Sequence, residues 1–211
     1  MDALSYVSFQ HVELSYGRHQ IYRDLHFDLE DGQIGAVYGP SRTGKSSVLL
    51  LASGNLLPSK GEVQVGGKKP DKKRVGLGPI QDLSPLFDTL TVEEHLLFQA
   101  RLHHVRKAKE RVSELLNTYD LEEVRKYRVK DIPHLEQFRT GLATALVHQP
   151  KLVLIDEPER GLTNEEWEIA YRDMRDLTEA GSTVLLTTVL LQVAERCDLV
   201  AQLPEGEVWT R

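Results

Sequence analysis

With 211 residues, 40% of them hydrophobic and 27% charged, the chain is long enough for one domain with a substantial core and too apolar to be a disordered segment. Its formal charge of −6 argues against broad attraction to nucleic acid or anionic lipid, and its single cysteine, Cys197, excludes an internal disulfide framework. No basic segment followed by an apolar stretch opens the sequence, and no apolar run is long enough to span a bilayer, so neither a signal peptide nor a membrane span is expected.

Residues 4 to 33 alternate apolar and polar positions, with Val7, Phe9, Val12 and Leu14 followed by Leu25, Phe27 and Leu29. Period-two patterning around a turn at Gly17 predicts antiparallel strands with one buried face. A second hairpin is expected in GEVQVGGKK, from Gly61 to Lys69. Four continuous apolar runs, IGAVY (34–38), LVLID (152–156), TVLLTT (183–188) and LVAQL (199–203), suit strands buried on both faces of a parallel sheet. Helical patterns alternate with them; one follows Thr163, which with Glu166 forms a capping-box signature before Trp167, Ala170, Met174 and Leu177. The architecture is α/β. From Leu83 to Leu135 the alternation gives way to helices alone: Thr91 and Glu94 form another capping box, and Val112, Leu115, Leu116 and Tyr119 mark a second amphipathic helix. The basic stretch Arg101–Arg111 reads as a solvated helical face, and KKPDKKR (68–74) as a loop. The eight histidines show no metal-ligand spacing.

The segment Gly39–Ser46, GPSRTGKS, fits the pattern G-x-x-x-x-G-K-[ST] between a strand and an apolar helix. Backbone N–H groups of such a loop and the following helix N-terminus cradle phosphate oxygens. Lys45 then reaches the β- and γ-phosphates, and the Ser46 hydroxyl ligates Mg²⁺. A chance Gly-rich turn before a helix is the plainer alternative, and the order of strand, motif and helix speaks against it. The run Leu152–Ile155 ends in Asp156 and Glu157. In a P-loop protein the first acid holds the Mg²⁺ shell, and the second can orient or deprotonate the attacking water. Two solvated acids ahead of Pro158 are the blander reading.

Taken in order and spacing, these segments resemble ABC-type nucleotide-binding subunits over essentially the whole chain. Tyr16, in LSYG, stands where that family places the aromatic that stacks on adenine. GPSRTGKSS is similar to its phosphate loop, which implies ATP contacts from Gly39, Pro40, Ser41, Arg42, Thr43, Gly44, Lys45, Ser46 and Ser47. VGLGPIQD puts Gln81 at the glutamine-loop position, used by the family to reach Mg²⁺ and to sense the membrane domain. LFDTLTVEEHLLFQARL resembles the start of the helical subdomain, with wording nearest the export-type members; GLATALVHQPKLVLIDEP and CDLVAQLPEGEVW match the later helix and strands.

Three family elements are altered. The signature, usually Leu-Ser-Gly-Gly-Gln, falls on Ile132, Pro133, His134, Leu135 and Glu136, with none of its serine, glycines or glutamine. Val189 stands at the position of the histidine that contacts the γ-phosphate, and Thr163 stands for the usual D-loop aspartate. Removing one preorganised donor typically costs ~10²–10³ in rate, and such residues act as a unit. The resemblance therefore implies a P-loop NTPase core with a mainly parallel sheet, an N-terminal antiparallel β subdomain and an inserted helical subdomain at about 83–135, all in one nucleotide-binding domain over 1–211. It implies ATP and Mg²⁺ as cofactors, with Ser46, Gln81 and Asp156 at the metal and Glu157 as the base. Binding is expected, with hydrolysis weak or partner-dependent. The implied partners are a membrane permease and a second nucleotide-binding subunit, at the cytoplasmic face of the inner membrane and without nucleic acid. A non-hydrolysing module with a structural or regulatory role in a membrane complex is the alternative.

Overall fold

The computed structural model describes residues 5–78 and 85–210. Two long strands open the chain, β1 (Ser5–Tyr16) and β2 (His19–Glu30), and β4 (Lys60–Val65) joins them in an antiparallel sheet of order β2-β1-β4. Their buried set, Val7 and Phe9 and then Val12 and Leu14, shifts parity along β1. The pairing register slips between Phe9 and Val12, so a bulge keeps both halves of the strand facing inward. Phe9 and Phe27 stack across the pair with centroids 4.6 Å apart.

The second sheet has the order β5-β6-β7-β3-β8-β9, built from β3 (Ile34–Tyr38), β5 (Val75–Leu77), β6 (Leu152–Asp156), β7 (Thr183–Thr188), β8 (Leu199–Gln202) and β9 (Val208–Thr210). Its first five strands are parallel and β9 is antiparallel. Alternate residues of one strand enter different cores. Leu152 and Leu154 pack with the antiparallel sheet and with α1 (Lys45–Ser53), whereas Val153 and Ile155 face the helices α4 (His134–Leu146) and α5 (Asn164–Glu179). Burial on both faces explains why these strands read as unbroken apolar runs.

Between β5 and β6 the described elements are helical: α2 (Val92–Leu102), α3 (Ala108–Thr118), a 3₁₀ turn (Val129–Asp131) and α4. Both capping boxes form, at Thr91/Glu94 on α2 and Thr163/Glu166 on α5. A one-turn helix, α6 (Leu191–Ala194), follows β7.

Two expectations are corrected. Residues 61–69 do not fold back as a hairpin of their own. The strand β4 pairs with β1, and a lone bridge from Val65 to Lys68 closes the turn behind it. The stretch Arg101–Arg111 is not one helical face either: α2 ends at Leu102, and His104 and Lys107 take positive φ before α3 begins. The strand β5, three residues long, was absent from the apolar runs because it is too short for a periodic pattern.

Candidate phosphate and metal site

The carboxyl-terminal ends of β3, β6 and β7 converge on one edge of the parallel sheet, where ligands of open α/β sheets bind. From β3 the chain enters the 39–46 loop. Gly39 donates its N–H to the Thr188 carbonyl at 3.2 Å, and a Cβ on Gly39 would lie 2.3 Å from the Leu203 carbonyl oxygen. Gly44 caps α1 with φ 94°, and a Cβ there would strike Ile21 at 2.3 Å. At Gly39 the approaching atom is backbone and leaves no room for a side chain, whereas at Gly44 it is the Ile21 side chain, and the positive φ adds to what a Cβ would cost. Thr43 Oγ1 donates to the Pro40 carbonyl at 2.9 Å and tightens the loop.

Lys45 is only 4% exposed; its ammonium donates to the Pro40 carbonyl at 3.1 Å and lies 3.7 Å from Glu157 Oε1. Ser46 Oγ lies 3.1 and 3.2 Å from the two Asp156 oxygens, which joins the start of α1 to the end of β6. The Thr187 hydroxyl, at the end of β7, also donates to Asp156 and accepts from the Glu157 N–H at 3.1 Å. Glu157 adopts φ 46°, and its Oε2 accepts from Arg160 at 2.6 Å. An open cavity of about 1120 Å³ borders this cluster, lined by Ser41, Arg42, Gly44, Lys45, Ser46 and Ser47 on one side and by Asp156, Glu157, Arg160 and His134 on the other.

The structure thus brings Ser41–Ser47, Asp156 and Glu157 together. Tyr16 stands at the β1–β2 turn, 51% exposed, outside that cavity lining, while Ile21 of β2 reaches it. Gln81 lies outside the described residues. Sequence reading missed Thr187 and Arg160. A threonine closing an apolar run carries no chemical signal, and an arginine three residues after Glu157 is ordinary surface composition until the turn is known.

The three segments that the resemblance marks as altered are well-formed structure. Pro133 is the N-cap of α4, and it offers no side-chain hydrogen bond there. The His134 ring lies over Gly161, whose added Cβ would sit 3.2 Å from Nδ1. Thr163 accepts from the Glu166 N–H at 3.2 Å. Beside Val189, which is 37% exposed, Thr188 donates to Glu159 Oε1 at 2.5 Å and accepts from the Leu190 N–H. Burial raises the Glu159 carboxyl above its usual range against the lowering effect of the Thr188 bond.

Hard oxygen donors at the Ser46–Asp156 pair suit Mg²⁺, which keeps water and takes phosphate oxygens as further ligands. Among the described residues no group of three or more His, Cys, Asp or Glu could hold a metal. The Ser46–Asp156 pair fits such an ion by its oxygen donors.

Comparison with known proteins places this geometry in a family. Residues 22–160 match the family model described as ABC transporter. The Nod factor export ATP-binding protein I of Rhizobium johnstonii is 33% identical over 203 residues, covering 92% of this chain and 65% of the relative. The linearmycin resistance ATP-binding protein LnrL of Bacillus subtilis is 27% identical, covering 94% of this chain and 66% of its own length. ABC transporter G family member 20 of Dictyostelium discoideum is 30% identical, and the chain spans 96% of itself but 28% of that protein. The chain therefore spans about two thirds or less of these relatives. Among solved structures, an ATP-binding subunit of an ABC transporter superposes with TM-score 0.82 at 23% identity, covering 98% of this chain and 90% of that one. The ATP-binding cassette MJ0796, a dimer in a post-hydrolysis state with ADP and Pi, superposes with TM-score 0.83 at 21% identity, covering 97% and 98%. At these identities the structures establish the fold, and the family model, matching more than half of the chain, establishes the membership. The chain belongs to the ABC transporter family as one of its ATP-binding domains.

Proposed function

We propose that the chain is the ATP-binding subunit of a membrane transporter, peripheral to the cytoplasmic face of the inner membrane, and that it forms a single nucleotide-binding domain. The observation that carries this reading is the buried Lys45 beside the Ser46–Asp156 pair, at the mouth of a loop shaped by positive-φ glycines at 39 and 44. In this reading Gly39, Pro40, Ser41, Arg42, Thr43 and Gly44 hold the phosphates with their N–H groups, side chains or turn geometry, and Lys45, Ser46 and Ser47 complete the cradle. Tyr16 stacks on the adenine, and Ser46, Asp156 and Gln81 hold the metal. When bound, Mg²⁺ neutralises charge on the phosphates. Glu157 orients the attacking water and takes its proton.

Residues 83–135, with Gln81, meet a membrane permease subunit, and a second nucleotide-binding subunit completes the assembly. The name of the Nod factor relative supports export as the direction. Among the described residues no helix is long and apolar enough to cross a membrane. Hydrolysis is weak or partner-dependent, because Pro133, Leu135 and Val189 supply neither the hydroxyl nor the imidazole that acts on the γ-phosphate elsewhere in the family. The test measures binding of a fluorescent ATP analogue and ATP turnover, with the chain alone and in its native complex, for the wild type, Lys45→Ala and Glu157→Gln. Mg²⁺-dependent binding lost in Lys45→Ala, with turnover near background for the chain alone, is expected. Brisk Lys45-dependent turnover by the isolated chain would sink the weak-hydrolysis reading, and binding unaffected by Lys45→Ala would sink the phosphate site.

A further inference from the structure

The Lys45 ammonium is almost wholly buried, and a buried charge needs a counter-charge. Its ion-pair partner is Glu157, at 3.7 Å. The same carboxylate is thus an internal competitor for the lysine that phosphate requires. Its close contact, however, is elsewhere. Glu157 Oε2 meets the Arg160 guanidinium at 2.6 Å, more than an ångström nearer than Oε1 lies to Lys45.

The backbone fixes both ends of this contest. Glu157 sits at φ 46°, outside the conformations ordinary residues prefer, with its N–H held by the Thr187 carbonyl and hydroxyl, each at 3.1 Å. The Arg160 N–H donates to the Glu157 carbonyl at 3.1 Å, and the Leu162 N–H to that of Glu159 at 3.2 Å. This turn puts residue 160 beside residue 157, while the guanidinium remains 66% exposed and keeps its charge at little desolvation cost. Both side chains line the cavity that the phosphate loop borders.

We propose that Arg160 is a positioning residue that draws the Glu157 carboxylate away from Lys45 and so keeps the lysine available to a triphosphate. The inference rests on Lys45 as a phosphate ligand. Without Arg160 the nearest cation left to Glu157 is Lys45; the two close up, and nucleotide must then displace a carboxylate before it can bind. Arginine suits this post because its fork can grip one carboxylate oxygen and still face water.

A double-mutant cycle in the full chain tests this, with ATP and Mg²⁺ titrated against wild type, Arg160→Ala, Glu157→Gln and the double variant. Arg160→Ala should weaken ATP binding about three- to tenfold, and that loss should vanish in the Glu157→Gln background, where the neutral amide no longer competes for Lys45. Arg160→Lys should restore most of the affinity. An equal loss in both backgrounds would overturn the proposal by showing that Arg160 merely attracts phosphate. No loss in the wild-type background would overturn it as well. Melting temperatures for each variant report folding, and Arg160→Gln replaces the alanine variant if that one does not fold. Lys45→Ala tells this apart from the assignment beneath it. Retention of full affinity in Lys45→Ala means that the phosphate site itself is wrong, whereas equal losses in the cycle leave that site intact and remove Arg160's role alone.

Discussion

Three side chains from three different elements share the Asp156 carboxylate and its neighbourhood: Ser46 at the start of α1, Thr187 at the end of β7, and Asp156 itself at the end of β6. Thr187 is completely buried, and its single hydroxyl both donates to the carboxylate and accepts from the Glu157 N–H. It therefore fixes the two acids relative to each other across adjacent strands. Thr187→Val keeps the shape and deletes the hydroxyl. A hydrogen bond to a charged group contributes about 1.5–3 kcal/mol, but Asp156 retains Ser46 and Glu157 retains the Thr187 carbonyl, so the expected loss is about 1–2 kcal/mol. Urea unfolding of the two proteins measures it, and an unchanged midpoint with unchanged slope would show that the hydroxyl contributes nothing. At this scale the sequence was legible where chemistry dictates spacing. Lys45 and Ser46 follow a glycine held at positive φ against Ile21, and Asp156 and Glu157 close an apolar strand. Thr187 and Arg160 were not legible, because their meaning comes from partners that only the folded turn supplies.

Element boundaries were readable where the termini carry their own hydrogen bonds. Thr163 and Glu166 exchange bonds with each other's backbone at 3.2 and 2.8 Å, and the α5 N-terminus falls where that pair stands in the sequence. The same holds for α2 at Thr91. The break between α2 and α3 was not readable: residues 103–107 contain neither glycine nor proline, and the chain turns through positive φ at His104 and Lys107 instead. With neither of the strong breakers present, the stop carries no local signal. The resemblance drawn from the sequence sets Thr163 where aspartate is usual, and the cap gives a way to compare the two residues. Asp and Thr both cap well, and alanine does not. Thr163→Ala should destabilise the protein by about 1 kcal/mol, and Thr163→Asp should leave stability within about 0.5 kcal/mol of wild type. Thermal melts of the three proteins decide this. A loss in the aspartate variant equal to that in the alanine variant would mean that threonine is held here by something other than its cap.

The helices between β5 and β6 meet one another along a seam between α2 and the end of α4 that carries three histidines. His95 accepts from the Phe87 N–H at 3.0 Å and lies 3.4 Å from the Thr144 hydroxyl of α4. His103, at the end of α2, stacks on His148, which follows α4, with centroids 3.8 Å apart and planes within 4°. Burial lowers all three from the ordinary imidazole value. For His148 it acts with repulsion from His103 to push the ring down to about 4, and His103 is lowered further by its neighbour His104. The unfolded chain binds protons on these rings at a pH where the folded chain does not, so folding stability must fall as the solution is acidified. The sign places the effect between about pH 6.5, where an unfolded histidine begins to protonate, and about pH 4, below which folded His148 is charged too. His148 remains partly solvated, so its share is on the order of 2 kcal/mol across the window rather than the full shift. Carboxylates titrate over the lower part of the same range, and a comparison with His148→Phe separates them: phenylalanine keeps the stack on His103 and cannot take a proton. The unfolding free energy of the wild type should drop more steeply than that of His148→Phe from pH 7 to pH 5, with the two curves flattening together above pH 7. Parallel curves over the whole range would show that the seam closes independently of the charge on His148.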